Sequence, residues 1–313
     1  MTLLYYDRRF LDHDTGSHPE RPLRLIRTID HLEHAGLVAQ CARPDWAPVT
    51  IDRLARVHDR GYAEAVTEFA RQGGGQIEAD TVMSEASCDV ALLAAGAVCD
   101  AVERVVRGED RRALCLVRPP GHHALPDGAM GFCLFNNVAI AARTAVAELG
   151  LDRVLIVDWD VHHGNGTQDI FWRDGQVGFF SIHRWPFYPG TGRANETGTG
   201  PGLGATMNLP IEFGIARRDY LDDFRTGLER FASYIKPQLV LISAGFDSHR
   251  TDPIGSLGLE SEDFEALTTV VLGIADAFAQ GKVVSVLEGG YNPQALAESV
   301  EIHLKELLKQ GGS

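Results

Sequence analysis

Three features of the sequence predict an α/β fold, a single domain over residues 1–313 with an open, mostly parallel sheet and helices on both faces. They are short apolar runs that do not alternate, helical patterns between those runs, and glycine-bearing polar segments directly after them. Strands covered on both faces read as continuous apolar runs, whereas half-exposed strands alternate. Runs of the first kind are "LLYY" near the start, "ALCLV" (113–117), "RVLIV" (153–157), "VGFFSI" (177–182), "ATMNL" (205–209), "QLVLIS" (238–243) and "KVVSVL" (282–287). Helical patterns over 87–107, 136–149, 219–235 and 261–279 separate most of them, and this alternation is that of an α/β protein with a parallel sheet. No Pro/Ser linker, charge-block junction or repeat of fixed period divides the 313 residues, so one domain is expected.

Composition narrows the function. With 44% hydrophobic and 23% charged residues the chain can bury a sizeable core and is not disordered. A formal charge of −14 argues against a nucleic-acid surface, which needs clustered Lys and Arg, and would steer a basic partner such as a lysine-bearing peptide or a polyamine. The start "MTLLYYDRRF" has too short an apolar run for a signal peptide. No stretch approaches the roughly 18 apolar residues of a membrane span, so a cytoplasmic protein without a membrane partner is expected. The cysteines (Cys41, Cys88, Cys99, Cys115, Cys133) are five, an odd number, and form no C-x-x-C pair. That disfavours a disulfide framework and a thiolate zinc site. Cys133 stands out only for its neighbours and reads as a small buried hydrophobe.

In open parallel sheets, ligands bind beyond the carboxyl ends of the strands. The segments there read "RPPGHHALPDGAMGFCLFNN", "DWDVHHGNG", "HRWPFYPGTG", "AGFDSHRTDP" and "EGGYN". Each joins glycine to a polar or aromatic residue, and four contain His or Asp. Asp160 and His162 are two apart, so at an extended strand end both side chains point to the same side. A carboxylate and an imidazole so placed suit zinc or a similar divalent ion, although polar groups of a surface loop can produce so short a pattern. Asp247, after "QLVLIS", is the natural third ligand from another strand, and three protein ligands with an open position are the arrangement of a catalytic zinc. His163 is one residue out of phase and is expected to point away.

Two adjacent histidines, His122 and His123, follow "ALCLVRPP". Beside a metal they suit hydrolysis, which needs a base for water and an acid for the leaving amine. Asp158 would then orient one of them, or else cap the strand end. There is no G-x-S-x-G elbow, P-loop or H-E-x-x-H helix. His31 and His34 have helical spacing without the glutamate, and read as solvated helix residues. "GPGLGA" (200–205) precedes a strand instead of following one, so its likeness to a dinucleotide loop is chance.

With these residues in hand, the sequence resembles the histone deacetylase superfamily, in its class II-like branch of bacterial amidohydrolases. The resemblance rests on "HPERPLRL" (18–25), "RPPGHHA", "GFCLFNN", "DWDVHHGNGTQD", "FYPGTG", "SAGFDSHRTDP" and "LEGGYN", in that order along most of the chain. It implies the arginase-deacetylase fold and one zinc ion held by Asp160, His162 and Asp247, with Fe2+ as the other metal to consider. It also implies that His123 serves as general base and then acid, that His122, paired with Asp158, stays charged, and that Tyr291 donates its hydroxyl to the substrate carbonyl. Phe132 and Tyr188 match the aromatic pair that walls the family's acyl-lysine tunnel. A structural K+ would be held by the backbone of Asp158, Asp160, His162 and Ile182 with the Ser181 hydroxyl.

Two departures refine the assignment. Asn165 stands where class I members carry an Asp beside the second histidine, which looks like class II and leaves His123 with a less elevated pKa. Ile254 in "DPIG" aligns with a gatekeeper that is Glu in the polyamine-selective branch, which favours acyl-lysine. The implied activity is zinc-dependent removal of acetyl or another short acyl group from N-ε-acyl-lysine in peptides or proteins. Acetylpolyamine amidohydrolase, acting on small acylated amines through the same centre, is the alternative. A dimanganese ureohydrolase would need further carboxylates where Ser248 and His249 stand, and a non-catalytic acyl-lysine reader would have lost Tyr291, a histidine or a ligand. Natural substrate, acyl length, oligomeric state and any redox role of Cys133 are left open.

Overall fold

In the computed structural model, which describes residues 2–309, every apolar run named above becomes a strand of one sheet. The chain opens with β1 (Thr2–Tyr5), passes through α1 (Leu23–His34) to a two-residue edge strand, β2 (Cys41–Ala42), and continues into α2 (Ile51–Leu54) and α3 (Arg60–Arg71). An antiparallel hairpin, β3 (Gly74–Glu78) and β4 (Thr81–Ser84), stands apart from the sheet and leads into α4 (Ser87–Arg107). Strands and helices then succeed one another as β5 (Arg112–Cys115), α5 (Asn137–Leu149), β6 (Val154–Asp158), α6 (Asn165–Phe171) and β7 (Val177–Arg184). A long loop leads to β8 (Thr206–Ile211), followed by α7 (Arg217–Ile235), β9 (Leu239–Ala244), α8 (Asp263–Phe278), β10 (Val283–Leu287) and α9 (Pro293–Leu308).

The sheet order is β2-β1-β5-β10-β9-β6-β7-β8, and every pairing in it is parallel. All residues of β5, β6, β9 and β10 are buried, which is why their sequences do not alternate. One face is covered by α7, α8 and α9, with α1 against α9, and the other by α4 and α5 with the shorter helices around them. β5 ends at Cys115, short of the apolar Leu116 and Val117, because the chain turns off through Arg118, Pro119 and Pro120, and the prolines have no N–H to donate to a ladder. "GPGLGA" forms a short 3-10 turn ahead of β8. Among the described residues no helix is long and apolar enough to cross a membrane.

The N-terminal motif "HPERPLRL" ties α1 to the sheet through a buried ion cluster. Glu20 accepts hydrogen bonds from Arg24 (3.0 Å) and from both Nε and Nη2 of Arg118 (2.5 and 2.8 Å), and all three side chains are almost wholly buried. Burial alone would raise the Glu20 pKa. The Arg118 charge, the bonds from His13 and Arg118, and the Arg24 charge outweigh it and hold the carboxyl well below its ordinary value. A depressed carboxylate gives its stabilisation in full above the unfolded value and loses it as pH falls through the folded one. Glu20→Gln leaves two buried guanidiniums without their anion and is expected to cost about 3–5 kcal/mol. Urea unfolding at neutral pH measures this, and an unchanged midpoint would contradict it.

Candidate active site

Four neighbouring strands in the middle of the sheet deliver the polar groups. At their carboxyl ends, β5 leads to His122 and His123, β10 to Tyr291, β9 to Asp247, and β6 to Asp158, Asp160 and His162. Residues more than a hundred positions apart thus converge where parallel sheets place their ligands.

Asp160, His162 and Asp247 are buried and bring one donor atom each within 4.8 Å of one another. His162 Nδ1 lies 3.0 Å from Asp160 Oδ1 and 3.1 Å from Asp247 Oδ2. The other carboxylate oxygens are used: Asp247 Oδ1 accepts from the Val161 N–H (2.9 Å) and Asp160 Oδ2 from the Gly289 N–H (2.8 Å). Asp247 Oδ2 is buried with no aligned hydrogen-bond donor despite the nearby imidazole. A Cβ on Gly289 would sit 2.6 Å from Asp160 Oδ2, so the backbone approaches the carboxylates as only glycine allows.

Electrostatics shows what this crowding costs. Burial, then the Asp160 charge, raises the Asp247 pKa, whereas His122 and His162 overcome burial to hold Asp160 low. His162, against burial, is raised to about 9 by its bond to Asp160 and by the Asp247 carboxylate beside it. A divalent cation would relieve the repulsion and engage the orphaned oxygen. Two carboxylates, one imidazole and no thiolate form a donor set that fits zinc or a related ion.

The two histidines are in opposite states. His122 Nδ1 donates to Asp158 Oδ2 at 3.0 Å, while His123 Nδ1 donates to Asn165 Oδ1 at 2.6 Å, with ring centroids 4.0 Å apart. Burial opposes charging His122, but Asp158, Asp160 and Glu288 raise its pKa well above the ordinary value. Burial also raises Asp158, so the pair shares a proton, which the imidazole holds because three carboxylates face it. His123 is depressed well below the ordinary value by burial and by the charges on His122 and His162, and Asn165 supplies no anion to reverse this. With Nδ1–H committed to Asn165, His123 presents the lone pair of Nε2.

A cavity of about 200 Å3 leads down to this cluster. Phe132, Tyr188 and Phe187 form its aromatic walls, Ile254 and Asp80 stand on its lining, and His123, His162 and Tyr291 complete it. Phe132 holds a left-handed backbone, φ 71°, secured by hydrogen bonds from its N–H to Thr81 Oγ1 and from the Gly131 N–H to Asp80 Oδ1, both 3.0 Å. The ring of Phe132 meets Tyr291 edge-on at 5.6 Å, and Phe187 stacks on His162 at 5.3 Å. Burial raises the Tyr291 pKa well above its ordinary value, so its hydroxyl keeps its proton. Ser181 faces Asp158 across the β6–β7 ladder and its hydroxyl bonds to His183 Nδ1 at 2.9 Å, with Ile182 buried beside it. Cys133 is buried, Sγ against the Gly131 carbonyl, and burial raises its thiol pKa.

Four residues at the site are not singled out by the sequence, one of them Phe187, which stacks on His162. Glu288 of "LEGGYN" is fully buried, accepts from the N–H groups of Gly121 (2.7 Å) and His122 (3.2 Å), and is pushed up to about 7 by burial. Its signal was a carboxylate directly after an apolar strand. Asp80 and Thr81, in the turn and second strand of the β3–β4 hairpin, carry no signal beyond the glycines at 73–75. His163 does point away from the cluster, yet it is buried and bonded to Thr191 Oγ1 (2.8 Å) and Gln168 Oε1 (3.1 Å), so it anchors the loop behind Tyr188. His31, read as solvated, is paired with Glu301 of α9 at 2.5 Å.

A doubly covered parallel sheet whose central strands end on a buried carboxylate–imidazole cluster, reached by an aromatic tunnel, is the α/β architecture shared by arginase-like and deacetylase-like hydrolases. Residues 18–307 match the histone deacetylase domain, and the chain belongs to that family. It is 38% identical over 295 residues to a "Probable deacetylase" of Archaeoglobus fulgidus, covering 93% of this chain and 82% of that one. Identity is also 38% over 282 residues to the "Histone deacetylase-like amidohydrolase" of Pseudomonas aeruginosa, covering 88% and 73% of the two chains. The crystal structure of the HDA15 HD domain superposes with a TM-score of 0.93 at 38% identity, over 99% of this chain and 91% of the other.

Proposed function

We propose that this protein is a zinc-dependent amidohydrolase that removes acetyl or another short acyl group from N-ε-acyl-lysine in peptides or proteins. The observation that carries the reading is the convergence, at the foot of one narrow aromatic tunnel, of the three-ligand cluster, the free Nε2 of His123 and the Tyr291 hydroxyl. Asp160, His162 and Asp247 would hold zinc, which when bound supplies Lewis acidity toward water and the acyl carbonyl. His123 Nε2 takes the proton of the attacking water and delivers it to the departing lysine nitrogen. His122, kept cationic by Asp158, contributes fixed positive charge beside the developing oxyanion, and Tyr291 donates a hydrogen bond to it. Phe132 and Tyr188 hold the aliphatic lysine chain and keep water from it. A K+ ion held by the backbone of Asp158, Asp160, His162 and Ile182 with Ser181, and a cytoplasmic location, belong to the same reading.

Asn165 gives it a signature in pH. An aspartate at this distance would add an anion and raise the His123 pKa, so that the base keeps its proton to higher pH. In Asn165→Asp the acid limb of the kcat/KM profile is therefore expected to move up by about one pH unit or more. Superimposable profiles would remove His123 from the role of base. The acetylpolyamine alternative turns on Ile254, which offers no carboxylate to a second amine. Its apolar side chain should disfavour a polyamine by about 1–3 kcal/mol relative to a paired site. A large kcat/KM advantage for acetylputrescine over an acetyl-lysine peptide would reverse this order.

A further inference from the structure

Asp252 lies five residues after Asp247 and is buried, only 8% exposed. It accepts four backbone hydrogen bonds. Oδ1 takes the N–H groups of Ile254 (2.9 Å) and Gly255 (3.0 Å), and Oδ2 takes those of Tyr291 (2.6 Å) and Asn292 (3.3 Å). The first pair shapes the turn that presents Ile254 to the tunnel, and the second fixes the segment that carries Tyr291 into it. Asn292 reinforces the join: its Nδ2 reaches the Thr251 carbonyl (3.2 Å) and Oγ1 (2.9 Å), and its Oδ1 caps α9. The carboxylate therefore also sits at the N-terminus of a 16-residue helix, where negative charge is favoured.

We propose that Asp252 is a positioning residue whose carboxylate ties the gate residue Ile254 and the hydroxyl donor Tyr291 into one unit, so that selectivity for the amine carrier and turnover both depend on it. The chemistry demands a carboxylate. Each oxygen serves two N–H donors, and bonds to an ionised acceptor are the stronger kind. Asparagine has nearly the same shape but turns an NH2 group toward one of the two pairs, whichever way it is oriented. Serine retains a hydroxyl that can accept from the amides two and three residues on, but it is too short to reach Tyr291. The kinetic part of the proposal rests on the deacylase reading, whereas the hydrogen-bonding part does not.

The test compares the zinc-loaded full chain with Asp252→Asn and Asp252→Ser. It combines amide hydrogen exchange over 252–257 and 289–293, zinc content, and kinetics on an acetyl-lysine peptide and on acetylputrescine. For Asp252→Asn, the proposal expects faster exchange in these segments with sheet protection and zinc retained. It also expects kcat down by about 10²-fold, the scale of an ångström misplacement, and a peptide-to-putrescine ratio that falls toward one. For Asp252→Ser, which also serves should the asparagine variant not fold, kcat falls while the ratio is kept. Unchanged exchange, or faster exchange with unchanged kinetics, overturns the proposal. If the wild-type chain hydrolyses neither substrate, the deacylase reading fails, and exchange alone then decides whether Asp252 clamps the two segments.

Discussion

Replacing Asp247 by asparagine is expected to abolish hydrolysis and zinc binding together, with kcat/KM falling more than about 10³-fold, beyond the loss of a single oxyanion donor. Asparagine keeps the oxygen that accepts from Val161 but not the charge on the orphaned Oδ2, so the fold survives while the cation loses one of three ligands. The electrostatics provides a check that a merely structural role would not meet. Asp247 is buried beside Asp160, whose charge and the burial both penalise its ionisation, so neutralising it should leave the metal-free protein equally stable or more so. Added zinc should raise the Tm of the wild-type chain and leave that of the variant unmoved, because only the intact site binds in the folded state. Zinc content by mass spectrometry and thermal scans measure both effects, and a variant that retains stoichiometric zinc and full activity would remove Asp247 from the centre.

Tyr291→Phe is expected to lower kcat by about 10²–10³-fold with KM little changed and zinc retained, the pattern of a donor that acts on developing charge. The ring is held independently of its hydroxyl, edge-on to Phe132 and beneath the Arg24 guanidinium 5.0 Å from its centroid, so phenylalanine should occupy the same place. Burial keeps the hydroxyl protonated through the working pH range. Steady-state kinetics on an acetyl-lysine peptide decides, and near-normal turnover would sink the assignment.

How much of this could be read beforehand depended on which physical signal each part left. The sheet was legible because strands buried on both faces must be apolar throughout: β6, β9 and β10 match their runs to within a residue. Their order was not, since pairing β9 with both β10 and β6 is a long-range outcome that no local pattern encodes. The β3–β4 hairpin escaped because most of β3 is exposed and carries neither period, and with it went Asp80 and Thr81, which secure Phe132. The D-x-H spacing after an apolar run paired Asp160 with His162, although both lie in the bend beyond the end of β6, whereas the match of His123 to Asn165 came through resemblance. Asp252 is invisible to spacing, because what distinguishes it is four backbone N–H groups brought from two distant segments.

The central claim is that the cluster at the foot of the tunnel is a hydrolytic zinc centre for acyl-lysine. It is tested most directly by measuring acid release from a panel of substrates that varies acyl length and amine carrier, with the purified chain loaded with zinc and then stripped by a chelator. Chelator-sensitive release that is restored by zinc, with acetyl-lysine peptide ahead of acetylputrescine, is the predicted result. No release from any acyl amine by the zinc-loaded chain, or release indifferent to the chelator, would contradict it.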